Sequence, residues 1–269
     1  MTNPTGNHVM IDIVIPVYNE SGNIISVLDS FHEHVRTPYR VLICYDMNED
    51  DTLPAVKNYP REKGEIVLVK NLGRGPNQAV ISGIAASTAP AVLVHRADDD
   101  YNAPLIDQMY EMLEDGCDVV TGSRFARGGF YRGAPLLKQA LTWTASFSLY
   151  HLRGVPVHDC TNGFRMFTRR LLDTVEITST EGFTFTFELL VKADRLGWSV
   201  GEIPATWIER TVGQSRFKVK EWVLPYFSWY KYALGTRWLG KGPETVVRKT
   251  PGGGPSPQVT QIEDWNPAS

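Results

Sequence analysis

Apolar runs of strand length recur at residues 11–17, 41–45, 66–69, 91–94 and 118–121. Between them lie stretches of helical character at 22–35, 50–59, 77–86 and 105–114. This alternation leaves few folding solutions. Strands that are apolar throughout must be covered on both faces, and the intervening helices are the segments available to cover them. The expectation is an α/β chain with a Rossmann-like, mostly parallel sheet and helices on both faces.

Ligands of such sheets bind beyond the carboxyl ends of the strands. Polar residues collect there: Tyr18-Asn19-Glu20 after the first run, Asp46 after the second, Asn71-Leu72-Gly73 after the third, and Asp98-Asp99-Asp100 after the fourth. The acidic triplet is the sharpest of these. A strand end that delivers Asp98 and Asp100 to one place suits a hard divalent cation such as Mg²⁺ or Mn²⁺. A cation held by two carboxylates keeps positions open for phosphate oxygens, which points to a nucleotide diphosphate. The alternative is structural: the triplet caps a helix starting near Pro104. The glycines of 71–75 likewise suit a plain turn, and a turn and a phosphate cradle are compatible.

The remaining composition narrows the field. With 269 residues and 42% hydrophobic content, the chain suffices for one α/β domain with appendages or two small domains. A net charge of −3 argues against nucleic acid as a general partner. Cys44, Cys117 and Cys160 show neither metal-ligand spacing nor a paired framework. Residues 1–8 are polar and read as a flexible tail without the apolar core of a signal peptide. No stretch of about 18 apolar residues is present to span a bilayer.

Beyond residue 130 the chain changes character. Residues 134–150 and 183–196 read as helices, the second carrying Glu188, and 200–208 reads as a strand interrupted by Pro204. Residues 219–241 are rich in Trp and Tyr, with Lys218, Lys220, Lys231, Arg237 and Lys241 in or beside them. Such a segment either packs its aromatics onto the domain or lies at a membrane–water interface, where Trp and Tyr are favoured and basic groups meet anionic headgroups. Pro225 is expected to break or start a helix there. Residues 242–269 read as a flexible tail, with Pro-Gly-Gly-Gly-Pro-Ser-Pro from Pro251. His95 and His158 lack partners at ligand spacing and read as structural.

Taken in order, seven motifs resemble those of family 2 glycosyltransferases of the GT-A fold, in particular the polyprenyl-phosphate sugar transferases of the dolichol-phosphate mannose synthase type. They are Ile15-Pro16-Val17-Tyr18-Asn19-Glu20; Asp46 to Thr52; Asn71-Leu72-Gly73 with Gly75; Asp98-x-Asp100; Gly122-Ser123-Arg124-Phe125; Asn162-Gly163-Phe164-Arg165; and Glu209-Arg210 with Gly213, Ser215 and Arg216. The resemblance covers residues 10–220 and implies a catalytic domain over 9–218.

It further implies roles. Pro16, Tyr18, Glu20, Asp46, Gly73, Asp98 and Asp99 would surround the nucleotide sugar, a GDP- or UDP-sugar. Arg210 and Arg216 would clamp its diphosphate. Asp98 and Asp100 would coordinate Mg²⁺ or Mn²⁺, with Asn102 as a further ligand or water holder. Arg124, Lys138, Asn162 and Arg165 would meet the acceptor, with Lys138 otherwise a snorkelling side chain. The implied reaction is inverting transfer of one sugar to a polyprenyl phosphate. Such an acceptor is already anionic near neutrality, its second pKa being about 6, and needs no general base. A hydroxyl acceptor on a saccharide, protein or small molecule would need one, and Glu188 is the candidate, unless it simply lies on an exposed helix face. A third reading is a nucleotide-sugar-binding subunit of low activity that scaffolds a membrane partner.

The chain departs from the family pattern at three positions. Tyr45 stands where an aspartate is common, Arg96 where an apolar residue is usual, and Asn102 is an uncommon choice at its place. These leave donor sugar and base open. The expected location is the cytoplasmic face of a membrane, by peripheral contact or through a membrane-protein partner.

Overall fold

The computed structural model describes residues 8–152, 154–208, 219–250 and 257–265. The elements in chain order are β1 (Ile11–Pro16), α1 (Ile24–His34), β2 (Tyr39–Tyr45), α2 (Thr52–Lys57), β3 (Glu65–Lys70), α3 (Gly75–Ala86), β4 (Ala91–Val94) and α4 (Ile106–Glu114). They continue with β5 (Val119–Ser123), β6 (Phe130–Arg132), α5 (Leu136–His151), β7 (Arg165–Thr168), α6 (Arg169–Thr174), α7 (Thr184–Arg195), β8 (Val200–Pro204), β9 (Thr206–Ile208), α8 (Val219–Trp238) and β10 (Val259–Gln261). The chain divides into two compact units, Met1–Glu111 with Pro251–Ser269, and Met112–Thr250. The catalytic domain expected over 9–218 has parts in both units.

In the first unit the strands run β10-β3-β2-β1-β4. β3, β2, β1 and β4 are parallel, with Ile13 opposite both Val41 and Leu93. These strands are buried almost throughout, which accounts for their unbroken apolar sequence. The exception inside β1 is Asp12, fully buried and engaged. Arg40 donates to its two oxygens at 2.9 and 3.0 Å, and the Thr88 and Ala89 amides donate to Oδ2 at 2.7 and 3.0 Å. A buried charge is tolerable when every lone pair is used in this way.

β10 corrects the reading of 242–269 as a flexible tail for residues 259–261. Val259–Gln261 pairs antiparallel with β3, and the Lys70 amide donates to the Gln258 carbonyl at 3.0 Å. Trp265 is 7% exposed, with the Lys57 ammonium 5.3 Å from its ring and 2.7 Å from its carbonyl oxygen. The physical reason is the open edge of β3. Its unpaired backbone groups recruit even a short segment with little core of its own. The tail at 1–7 lies outside the described residues, as does 251–256.

In the second unit β5 is antiparallel to β7 and parallel to β8, while β6 and β9 form a separate parallel pair. The strand expected over 200–208 therefore splits at Pro204 into two strands of different sheets. α7 is buried at every position and packs against α8. On the described part of α8, Tyr226 stacks near Phe187 at 6.1 Å, Trp229 Nε1 donates to Ser179 Oγ at 2.9 Å, and Ala233 is fully buried. The packing reading of the aromatic segment therefore holds for this face, while Leu224, Phe227 and Trp238 remain exposed. The helix runs through Pro225 instead of ending there. The contacts of Tyr226, Trp229 and Ala233 work against a cost of about 3 kcal/mol for the interior proline. No helix among the described residues is long and apolar enough to cross a membrane.

Candidate nucleotide and metal site

The strand ends of the first unit are held by one another. Pro16, the last residue of β1, is half-buried; beyond it Tyr18 and Asn19 are exposed and Glu20 is buried, and Asn19 adopts a φ of 55°. The Asn19 amide donates to both Asp50 oxygens at 3.2 Å, and the Glu20 amide donates to Thr52 Oγ1 at 2.9 Å. Asp50 thereby ties the loop after β1 to the loop after β2. The sequence reading left Asp50 without a role; its signal was the Asp50-Asp51-Thr52 run at a helix start, where Asp50 also accepts from the Thr52 amide at 2.9 Å.

Asp46, the candidate base or ribose ligand, holds the next loop. It accepts from Asn71 Nδ2 and, at 2.8 Å, from the amide of Gly75, whose φ of 82° suits glycine. Gly73 is exposed, and its amide donates to Asn71 Oδ1 at 2.9 Å. Helix α3 starts at Gly75, with Pro76 in its first turn, two residues before the expected start. Tyr45, where an aspartate is common, is buried with the Lys70 ammonium 4.8 Å from its ring.

The three aspartates after β4 have three different environments. Asp99 is buried and accepts from the Asn102 amide at 3.1 Å and from Asn102 Nδ2 at 2.7 Å. It is the lock of the loop before the helical turn at Ala103, and the turn itself has no side-chain cap. Asn102 is buried and bound to Asp99 through its two nitrogens, so that a place as metal ligand or water holder would fall to its Oδ1. Asp98 is half-buried, and Arg96 donates to both its oxygens, Nε at 2.8 Å and Nη2 at 2.6 Å. Burial works against the charge on Arg96, yet Asp98 outweighs it and raises the Arg96 pKa. Asp100 is exposed, its carbonyl fixed by Ser30 Oγ from α1. Behind them His95 is buried, its ring 4.9 Å from Phe31, and burial lowers its pKa, as the structural reading expected. Among the described residues no three His, Cys, Asp or Glu side chains gather as a ready metal cage. Two carboxylates from one strand end are the donor types a hard cation completed by phosphate oxygens takes, and here Asp98 sits against Arg96 while Asp100 is exposed.

The second unit places its candidates differently. Arg124 is buried and makes a fork to Asp159, Nε at 2.6 Å and Nη2 at 2.8 Å, with a further bond to Thr161 Oγ1 at 2.6 Å. Burial would lift Asp159, but Arg124 and the neighbouring amides hold it below its ordinary value. Arg165 is fully buried, donating to Thr121 Oγ1 at 2.9 Å and to the Thr186 carbonyl, and burial pushes its pKa down to about 10. Asn162 is buried, donating to the Gly122 carbonyl at 2.8 Å and accepting from the Phe164 amide. Gly122 itself is a packing position, where a Cβ would stand 2.5 Å from Phe164. Three of the four expected acceptor residues are therefore buried in the fold, each with a partner 35 or more positions away that a sequence motif does not display. Lys138 is half-buried, its ammonium 5.7 Å from the Trp207 ring.

Glu188 is also corrected. It is fully buried, and it accepts from the Thr178 amide and hydroxyl at 2.7 Å, the Ser179 amide at 2.8 Å and Lys192 Nζ at 2.5 Å. With both oxygens committed, it has no room to take a proton from an acceptor hydroxyl. His158, expected to stand alone, instead pairs through Nδ1 with Glu202 of β8 and stacks on Tyr150 at a ring distance of 4.0 Å. Its side chain is 43% exposed. That dyad joins residues 44 positions apart and has no signal in sequence spacing. Arg210 and Arg216 lie outside the described residues.

Residues 12–176 match glycosyl transferase family 2, and the chain belongs to that family. Among curated relatives, it is 28% identical over 227 residues to a polyprenol monophosphomannose synthase of Mycolicibacterium smegmatis, covering 78% of this chain and 85% of the relative. It is 29% identical over 198 residues to a dolichyl-phosphate hexose transferase of Haloferax volcanii, covering 74% and 82%. Among solved structures it shares its fold with glucosyl-3-phosphoglycerate synthase of Mycobacterium tuberculosis. The complex with UDP aligns at TM-score 0.62 and 20% identity over 84% of this chain and 80% of that one. The complex with Mn²⁺, UDP and phosphoglyceric acid aligns at TM-score 0.63, over 84% and 79%. The GT-A fold expected from the motifs is thus the fold of the chain.

Proposed function

We propose that this family 2 glycosyltransferase moves a single sugar, with inversion, from a nucleotide diphosphate sugar to a polyprenyl phosphate. The observation that carries the donor side is the end of β4, where Asp98 and Asp100 flank a locked Asp99. Support comes from the relatives, one named a polyprenol monophosphomannose synthase and one a dolichyl-phosphate hexose transferase, and from a similar fold crystallised with Mn²⁺ and UDP.

Asp98 and Asp100 would hold Mg²⁺ or Mn²⁺. The cation, when bound, neutralises charge growing on the departing diphosphate. The chain's residues do the rest. The Asp46–Asn71–Gly75 bonds hold the loop that meets the nucleotide, and Lys138 would meet an acceptor phosphate. An acceptor phosphate oxygen bonds to the anomeric carbon as that carbon's bond to the diphosphate breaks. The nucleoside diphosphate leaves with the electron pair, and no side chain has to remove a proton. The committed state of Glu188 favours this acceptor over a hydroxyl. The exposed faces of α5 and α8, with Trp143, Phe147 and Phe227, favour a peripheral seat at a membrane, where a lipid headgroup is reached.

One observation favours a second reading. The accessible His158–Glu202 dyad has the form of a general base with its orienting carboxylate, which a hydroxyl acceptor requires. An acceptor panel separates the two. Purified protein with Mn²⁺ or Mg²⁺ and labelled GDP- or UDP-sugars is given polyprenyl phosphate or soluble saccharide and phosphoglycerate acceptors. Product with polyprenyl phosphate is expected. Product with soluble acceptors alone selects the second reading. Tight donor binding with no product on any acceptor selects a binding subunit.

A further inference from the structure

We propose that Arg96 is a built-in counter-ion for Asp98, so that a divalent cation reaches this site only by taking the carboxylate from the guanidinium. The inference rests on the reading of Asp98 as a metal ligand.

The geometry is specific. Both Asp98 oxygens accept from Arg96, at 2.8 and 2.6 Å, in the forked arrangement that guanidinium makes with carboxylate. The side chains are 19% and 7% exposed, so water screens the pair only partly.

The pair also differs in kind from the other buried forks of the chain. Arg40–Asp12 joins positions 28 apart, and Arg124–Asp159 joins positions 35 apart. Each staples distant segments and thereby stabilises the fold. Arg96 and Asp98 are two positions apart on one loop, and a pair that closes so short a segment holds little of the fold together. The loop is already fixed without it, by Asp99 to Asn102 and by Ser30 to the Asp100 carbonyl. What the pair does control is the charge of Asp98 and the two oxygens that a cation would need.

Two consequences follow. A free divalent cation competes with a positive group already seated on one of its two ligands, so its affinity is reduced. A nucleoside diphosphate arriving with the cation offers the displaced guanidinium a new anionic partner, since the same fork matches phosphate oxygens. Cation and nucleotide therefore bind together more tightly than either alone, and by linkage each tightens the other equally. The arrangement would keep the site from holding a metal until the donor arrives.

Mn²⁺ binding to the purified full chain, read by calorimetry or by the paramagnetic resonance of free Mn²⁺, tests this with and without GDP or UDP. In the parent, the nucleotide should tighten Mn²⁺ by about tenfold or more. Arg96→Gln should bind Mn²⁺ alone about tenfold more tightly than the parent and show a smaller gain from nucleotide. Equal Mn²⁺ affinities of Arg96→Gln and parent without nucleotide overturn the proposal. Arg96→Lys, which keeps the charge and loses the fork, serves if Arg96→Gln does not fold by circular dichroism. It should show a smaller tightening in the same direction, and no tightening overturns the proposal. Asp98→Asn separates the two levels. If it abolishes Mn²⁺ binding while the Arg96 variants match the parent, only the counter-ion role fails. If it leaves Mn²⁺ binding untouched, the metal site fails and the counter-ion with it.

Discussion

Glu188 and Lys192 lie one helical turn apart in α7 with 2.5 Å between Oε1 and Nζ, their side chains 0% and 2% exposed. Lys192 also donates to the Glu176 carbonyl at 2.7 Å, so the pair fastens the segment before α7 to the helix. Removing one member leaves the other charged in the core, at a cost of about 3–5 kcal/mol. Glu188→Gln should therefore lower the melting temperature by several degrees and leave turnover per folded molecule within a few-fold of the parent. A selective loss of turnover at unchanged stability would restore Glu188 as a base.

Asp100 is the exposed carboxylate of its triplet, and its loop is held by backbone and by Asp99. Asp100→Asn is expected to preserve the circular dichroism spectrum and melting temperature while turnover falls by about 10²-fold or more, since the charge that stabilises the leaving group acts through it. Turnover equal to the parent at limiting Mn²⁺ would refute its metal role.

The Arg124–Asp159 fork makes acid stability a readout. The folded pKa of Asp159 lies below its ordinary 3.8, so its contribution is full above that value and is lost as pH falls through the folded pKa. Asp159→Asn should melt earlier than the parent near neutrality. The gap should stay constant down to about pH 5 and narrow below about pH 4, where the carboxylate of the unfolded parent begins to protonate ahead of the folded one. A gap that widens on acidification contradicts the assignment.

Ending the chain after Thr250 removes β10 and Trp265. Losing a buried Trp and its strand is expected to destabilise by about 3 kcal/mol or more, seen as a lower urea midpoint. An unchanged midpoint would mean that the β3 edge needs no cover.

The parts that periodicity carries were readable from residue order. Continuous apolar runs could only be strands covered on both faces, and β1 to β5 lie within a residue or two of the expected spans. The acidic triplet at the end of β4 was visible because strand and turn are both local. Helix starts moved by a residue or two where a proline or a tethered glycine preset the first turn, as at Gly75.

The division of labour within the site was not readable in this way. The sequence by itself determined which residue types arrive at each strand end. Only the tertiary structure decided that Asp99 locks, Asp98 is paired and Asp100 faces outward. It likewise sealed Arg124 against Asp159, enclosed Glu188, joined His158 to Glu202 and drew residues 259–261 onto β3. The reason is that burial and ion pairing depend on neighbours in space, often 30 or more positions away in the chain, while propensity and periodicity depend on neighbours in sequence.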